Sequence, residues 1–245
     1  MAESMKFEPQ GIKALAFDVG GTVFNWHQTV CDAVDALAGE RGADVDAGTF
    51  ANAWRLGMFA VLSEVRFGAR GAMSTDAMQR ASLRKLAADY PALALSAADI
   101  DSLAGVWHRL TPWPDVPDAV NRLRDDYTTV VLTVMGWGAM MASSKAAGIA
   151  WDSILSCEFL GVWKPDAEAY LTVPRLLALR PDEVMMVAAH PDDLSAAAAA
   201  GLRTAYVIRP ATCEPGYDPT DFPRADFDLN ARDFPDLVRQ LCPGA

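Results

Sequence analysis

Four short stretches carry side chains that could work together on a small molecule. Asp18 lies in FDVGGTVFNW (17–26), Thr133 closes TTVVLT, Lys164 opens KPDAEAY, and His190 and Asp193 stand in HPDD (190–193). Asp18 follows an apolar run and is the only acid in its turn, since Val19, Gly20 and Gly21 come next. A carboxylate is a poor nucleophile in water and a better one when desolvated and oriented. Each residue also has an ordinary reading. A strand-end aspartate forms turns, a lone lysine lies on the surface, a threonine closes a strand, His190 is an interior histidine, and Asp192 and Asp193 cap a helix. Their placement relative to the sheet decides between the readings.

Short apolar runs bounded by turn residues recur at 12–17, 128–133, 153–157, 184–189 and 204–209. They lack clean alternation, which suits strands buried on both faces of a parallel sheet. Helical patterns lie between the later ones, at about 137–148, 166–179 and 192–200. Strand and helix in regular turn predict a doubly wound, Rossmann-like α/β sheet, mostly parallel. The rhythm breaks between about 27 and 110, where the stretches TFANAWRLGMFAVLSEVRF and STDAMQRASLRKLAADY read as helices, and TPWPDVPDAV (111–120) then returns the chain to the sheet. The expected organisation is a core of 1–26 plus 111–245 with a helical cap, 27–110, inserted after the first strand. In open α/β sheets, ligands gather outside the carboxyl ends of the strands. Asp18, Thr133, Lys164 and HPDD fall in chain order at that one edge, which favours a site over four unrelated structural residues.

At 245 residues the chain is long enough for a substantial core, and 51% hydrophobic with 22% charged residues is a globular balance. A formal net charge of −11 argues against nucleic acid and an anionic membrane as partners. An anionic small molecule needs local cations, which gives Lys164 and the few arginines near a site added weight. Cys31, Cys157, Cys213 and Cys242 are far apart, with no zinc spacing, and are expected to be reduced thiols of a cytoplasmic protein. The opening MAESMKFEPQ is polar and acidic, unlike a signal peptide, and no stretch approaches a membrane span. A homodimer is left open.

AFDVGGTVFNW, LT at 132–133, WKPDAEAY (163–170) and MVAAHPDDLSAA (186–197) together resemble the haloacid dehalogenase superfamily, and within it the type II (L-2-)haloacid dehalogenases. The resemblance extends to FANAWRL in the cap and LTPWPDVPDAVNRL on re-entry to the core. It implies hydrolysis of short 2-halo acids to 2-hydroxy acids of inverted configuration, through an ester on Asp18, without cofactor or metal. Lys164 then matches the lysine that orients Asp18, and Asp193 the carboxylate that positions Lys164 and helps activate water. Thr133 matches the hydroxyl that holds the substrate carboxylate, Arg55 the cap arginine that meets the departing halide, and Tyr170 the tyrosine six residues after the lysine. A guanidinium at the halide end favours the transition state, because negative charge moves there from Asp18. Phe17, Trp26 and Trp54 are candidates for a dry pocket wall.

Phosphatases of this superfamily carry a second aspartate where Gly20 stands, to protonate a basic alkoxide leaving group. Halide needs no proton, so Gly20 argues against phosphoryl transfer with Mg²⁺. Dehalogenases place Tyr or Phe at that position, and glycine there implies a larger cavity, a displaced aromatic such as Trp26 or Trp54, or lost function. Val134 replaces a family Asn, and His190 stands where several members have Asn. A silent member that only binds a small carboxylate is therefore a competing reading. So is the phosphate turn of sugar kinases, which DVGGT resembles. That turn would continue as a strand, whereas HQTVCDAVDALAGERG reads as a helix.

Overall fold

In the computed structural model, residues 9–209 and 222–243 are described. Six strands form one parallel sheet: β1 (Ala14–Phe17), β2 (Thr128–Thr133), β3 (Ser153–Ser156), β4 (Val184–Ala188), β5 (Arg203–Val207) and β6 (Leu229–Ala231). Their order is β3-β2-β1-β4-β5-β6. The missing alternation has a direct cause, because both faces of the strands are apolar and each faces its own core. Leu15, Phe17, Val131, Met185 and Val187 enter one core; Ala14, Ala16, Val130, Leu132 and Met186 enter the other. The first core is covered by α5 (Pro117–Leu123), α6 (Trp137–Ala146) and α10 (Phe234–Leu241), the second by α8 (Ala167–Leu177) and α9 (Pro191–Ala199). A doubly wound sheet results. The chain runs from β1 out to β3 on one side and resumes at β4 on the other, so the strand order reverses beside β1. The crevice at that reversal is where such sheets hold ligands.

Between β1 and β2 the chain forms α1 (Trp26–Arg41), α2 (Ala47–Arg66), α3 (Thr75–Leu86) and α4 (Ala97–Ala104). Their starts are set by side-chain caps: Asp46 accepts the Thr49 N–H (2.6 Å), Ser74 that of Ala77 (3.2 Å), and Ser96 and Asp99 form a capping box. Gly42 ends α1 at φ 61°, a left-handed position that glycine takes without strain. The helical segment that follows Thr22 excludes the kinase-type hairpin.

These helices do not form a separate core. Val34, Phe50, Trp54 and Leu83 belong to the same apolar cluster as Phe17 and Val187 of the sheet. A smaller cluster joins Met58, Val61 and Met78 to Cys157, Trp163 and Ala169. Where the chain leaves and re-enters the sheet, Asn25 N–H donates to Thr111 O and Trp113 N–H to Val23 O, both at 2.9 Å. Glu158, in the short helix α7 (Cys157–Leu160), accepts the N–H groups of Thr75 (2.6 Å) and Trp137 (2.8 Å), so one carboxylate holds the starts of α3 and α6 together.

β6 is an addition to the five strands expected from apolar runs. It has only three residues, with Asn230 in the middle, and is held by Asn230 bonding to both backbone groups of Arg224. The run 204–209 also ends early as a strand. Arg209 is buried and engages both oxygens of Asp115 at 2.9 Å. Cys31, Cys157 and Cys242 are buried, while Cys213 lies outside the described residues. Among the described residues no helix is long and apolar enough to cross a membrane.

Candidate active site

Asp18 follows the last residue of β1, and its N–H donates to Val187 O of β4 (3.0 Å), which places its side chain at the strand-order reversal. Gly21 turns the chain at φ 85°, which a side chain would resist. The turn closes with Gly21 N–H to Phe24 O (2.9 Å) and brings Thr22 back under the carboxylate. Thr22 Oγ1 accepts the Ala189 N–H and donates to Asp18 Oδ2, both at 2.9 Å. His190 Nδ1 lies 3.2 Å from the same Oδ2. Asp18 Oδ1 accepts from Lys164 Nζ at 3.3 Å.

Lys164 also donates to Asp193 Oδ2 at 2.8 Å, and Tyr170 OH donates to Asp193 Oδ1 at 2.6 Å. Side-chain exposure is only 8% for Lys164, 13% for Asp18 and 12% for Asp193. Two buried carboxylates therefore share one buried ammonium. Burial works to raise the Asp18 pKa, but the Lys164 charge and the hydrogen bonds from His190 and Thr22 outweigh it and hold the carboxyl well below its usual range. Burial disfavours the Lys164 ammonium, yet Asp193 and Asp18 together raise its pKa. Burial first, then the Asp193 charge, pushes the Tyr170 phenol upward, so it stays a donor. The result is an ionised, oriented and nearly dry carboxylate. Such a carboxylate is a competent nucleophile.

Above it is a cavity of about 410 Å³, lined by nine of the residues singled out from the sequence: Asp18, Gly20, Trp26, Arg55, Thr133, Lys164, Tyr170, His190 and Asp193. Thr133 Oγ1 accepts the Met135 N–H (3.1 Å), which aims the hydroxyl proton elsewhere. Gly136, also on the wall, is the N-cap of α6, whose positive dipole end thus meets the cavity. On the opposite element, the Arg55 guanidinium lies over the Trp26 ring, 4.5 Å from its centroid, and 5.5 Å from that of Phe59. A cation fixed on apolar faces is partly desolvated, which strengthens its pull on an anion. Among the described residues no cluster of three or more His, Cys, Asp or Glu is arranged to hold a metal ion.

Two expected wall residues are elsewhere. Phe17 packs under the sheet against Trp151 and Phe234, and Trp54 packs behind Trp107 and gives its indole N–H to Gln79 O (3.1 Å). A Cβ at Gly20 would stand 3.1 Å from Met135 Sδ, so the thioether occupies the space immediately beside it, while Gly20 and Trp26 both face the cavity. Met135 thus takes part of the place of the absent aromatic ring. Sequence reasoning missed it, as it missed Thr22, Gln79 and Trp107. Thr22 alone left a signal, being the one hydroxyl in the Asp18 turn. Val134, where the family Asn was expected, does line the wall.

The chain is similar to known proteins over most of its length. Residues 12–201 match a family described as haloacid dehalogenase-like hydrolase. The (S)-2-haloacid dehalogenase of Pseudomonas sp. (strain YL) is 27% identical over 204 residues, covering 81% of this chain and 83% of that protein. The crystal structure of an L-2-haloacid dehalogenase superposes with a TM-score of 0.86 at 37% identity, over 94% of this chain and 98% of the other. That of a defluorinating L-2-haloacid dehalogenase gives a TM-score of 0.86 at 34% identity, over 94% and 95%.

Proposed function

The chain belongs to the haloacid dehalogenase-like hydrolases, and from that premise we propose that it is an (S)-2-haloacid dehalogenase. It converts short 2-haloalkanoic acids to 2-hydroxy acids through an ester on Asp18. The observation that carries this reading is Asp18 itself, ionised between Lys164 and His190, the sole acid of its turn, with Gly20 where a phosphatase needs an acid.

In the first step Asp18 attacks C2 from the side opposite the halide. Charge leaves the carboxylate and gathers on the halide near Arg55, so that guanidinium binds the transition state more tightly than the ground state. Thr133 and the start of α6 hold the substrate carboxylate in both states. In the second step water attacks the ester carbonyl, with Asp193 receiving its proton and Lys164 keeping Asp193 in place. Residues 1–26 and 111–245 act as the catalytic core and 27–110 as its cap. We place the enzyme in the cytoplasm, in keeping with the wide spacing of its cysteines and the burial of Cys31, Cys157 and Cys242. Assembly as a homodimer belongs to the same reading, with the exposed Trp137 and Met141, neighbours on α6, as apolar surface for it.

A halide-release panel tests the proposal: chloro-, bromo- and fluoroacetate and both enantiomers of 2-chloropropionate, beside a phosphate ester with and without Mg²⁺. Halide release with preference for the S enantiomer is expected. Mg²⁺-dependent phosphate release without halide release would overturn it.

A further inference from the structure

The two oxygens of Asp18 are not equivalent. Oδ2 accepts from Thr22 Oγ1 at 2.9 Å and lies 3.2 Å from His190 Nδ1, while Oδ1 has only the longer contact with Lys164, 3.3 Å. The direction of each bond is settled locally. Thr22 Oγ1 already accepts the Ala189 N–H, so its proton points at Oδ2. An ionised carboxylate has no proton to give, so the His190 nitrogen facing it carries the hydrogen. Two donors therefore occupy Oδ2, and Oδ1 keeps a lone pair open for attack.

From this asymmetry we infer that Asp18 Oδ1 is the attacking atom, and that His190, with Thr22, forms an oxyanion hole at Oδ2 that serves only the second half of the reaction. The inference rests on the dehalogenase reading and deepens it. In the first step the Oδ1–C2 bond forms, the C2–halide bond breaks, and the halide leaves with the electron pair. Oδ1 is now the ester oxygen and Oδ2 the carbonyl oxygen. Water then bonds to Cγ, its proton passes to Asp193, and the carbonyl π pair moves onto Oδ2. When that pair returns, the Cγ–Oδ1 bond breaks. Oδ1 leaves as the hydroxyl of the 2-hydroxy acid with the proton from Asp193, the water oxygen stays on Asp18, and the second water proton is lost to solvent as the carboxylate is restored.

Charge on Oδ2 follows that path. It is about half an electron in the carboxylate, near zero in the ester and close to a full electron in the tetrahedral intermediate. Donors at Oδ2 thus stabilise the resting carboxylate and the tetrahedral state, but hardly the ester between them. They cost the first step a little and favour the second strongly. Lys164 at Oδ1 has no such one-sided effect, because it also holds Asp193. His190 is anchored for the task as the N-cap residue of α9, its carbonyl accepting the Leu194 N–H at 3.2 Å.

The test is a rapid-quench experiment with (S)-2-chloropropionate, following chloride and the intact protein mass in wild type, His190→Asn and His190→Leu. Asn keeps an N–H donor and Leu has nearly its shape without one. For His190→Leu the expected result is a chloride burst equal to the folded sites, at a rate within about threefold of wild type. Turnover should then fall on the order of a hundredfold, the loss typical of one oxyanion donor, with protein heavier by one carboxyethyl group accumulating. His190→Asn should turn over within about tenfold of wild type and carry little adduct. Burst amplitude counts folded enzyme, so misfolding lowers the amplitude and leaves the ratio of the two rates intact. A slowed burst without adduct in His190→Leu, or turnover like wild type, would overturn the inference while wild-type chloride release preserved the dehalogenase reading. Wild-type enzyme that releases no chloride would overturn both.

Discussion

The contact between Gly20 and Met135 can be tested by changing each residue alone and together. Gly20→Ala puts a carbon 3.1 Å from Met135 Sδ, a few tenths of an ångström inside ordinary contact. The Met135 backbone is held, its N–H by Thr133 Oγ1 and its carbonyl by Ser156 Oγ at 2.7 Å, so only side-chain torsions can yield. A thioether yields easily, at a cost under about 1 kcal/mol. Gly20 has no positive φ, so alanine also restricts the unfolded chain and returns about 0.4–1 kcal/mol. These effects cancel, and Gly20→Ala should be nearly neutral. Gly20→Phe cannot be absorbed by a torsion, and overpacking should cost about 1–3 kcal/mol. Met135→Ala alone empties a buried site (8% exposed) and should cost about 2–5 kcal/mol. The double variant Gly20→Phe/Met135→Ala refills the space, so its loss should fall short of the sum by at least about 1 kcal/mol. Urea unfolding measures these terms, and halide release across 2-chloro acids of increasing length reads the pocket. Met135→Ala should extend activity to longer acids, and Gly20→Phe should narrow it toward haloacetates. If Gly20→Phe is as benign as Gly20→Ala, or the two losses simply add, Met135 does not fill the wall.

Further outcomes follow from the charges around the cavity. Arg55→Ala should lower kcat on every halo acid, whereas Thr133→Val should chiefly raise KM, because the carboxylate is held throughout the reaction; steady-state kinetics separate the two. Exhaustive chelation should leave halide release unchanged, since Lys164 rather than a metal ion balances Asp18 and Asp193, and a strict Mg²⁺ requirement would count against that balance. Because Asp18 is held ionised below the usual carboxylate range, its charge stabilises the fold fully above that range and progressively less as pH falls through it. The stability of wild type relative to Asp18→Asn should therefore decline as pH falls from about 5 through the usual carboxylate range and keep declining below it, and an unchanged difference in urea unfolding would contradict the pairing with Lys164.

The fold and the gathering of these side chains at one edge could be read early because strand ends in a doubly wound sheet converge by topology. Once 14–17, 128–133 and 184–188 are strands, Asp18, Thr133, His190 and Asp193 must share an edge, and Lys164, in the turn before α8, and Tyr170, on α8, both reach Asp193. What could not be read depends on volume and direction. Periodicity shows that Phe17 and Trp54 are buried but not against what, and both turned out to pack away from the cavity. The missing ring at Gly20 was expected to be met by an indole or by open space. The thioether that meets it comes from a residue two positions after Thr133, and nothing in its neighbours marks it. β6 escaped notice because three residues with a central asparagine carry no apolar run.

The central claim is that Asp18 carries the ester and water attacks its carbonyl carbon. Turnover in heavy-oxygen water, with mass analysis of the Asp18 peptide and the product, tests it most directly. In a single turnover the account predicts a hydroxy acid with unlabelled hydroxyl oxygen and one label retained in Asp18; over many turnovers label passes on to the product hydroxyl while Asp18 keeps one labelled oxygen, because Oδ2 stays with its donors. Label in the hydroxyl of the first product, with an unlabelled Asp18 peptide, would mean that water attacks the substrate itself and would contradict the account.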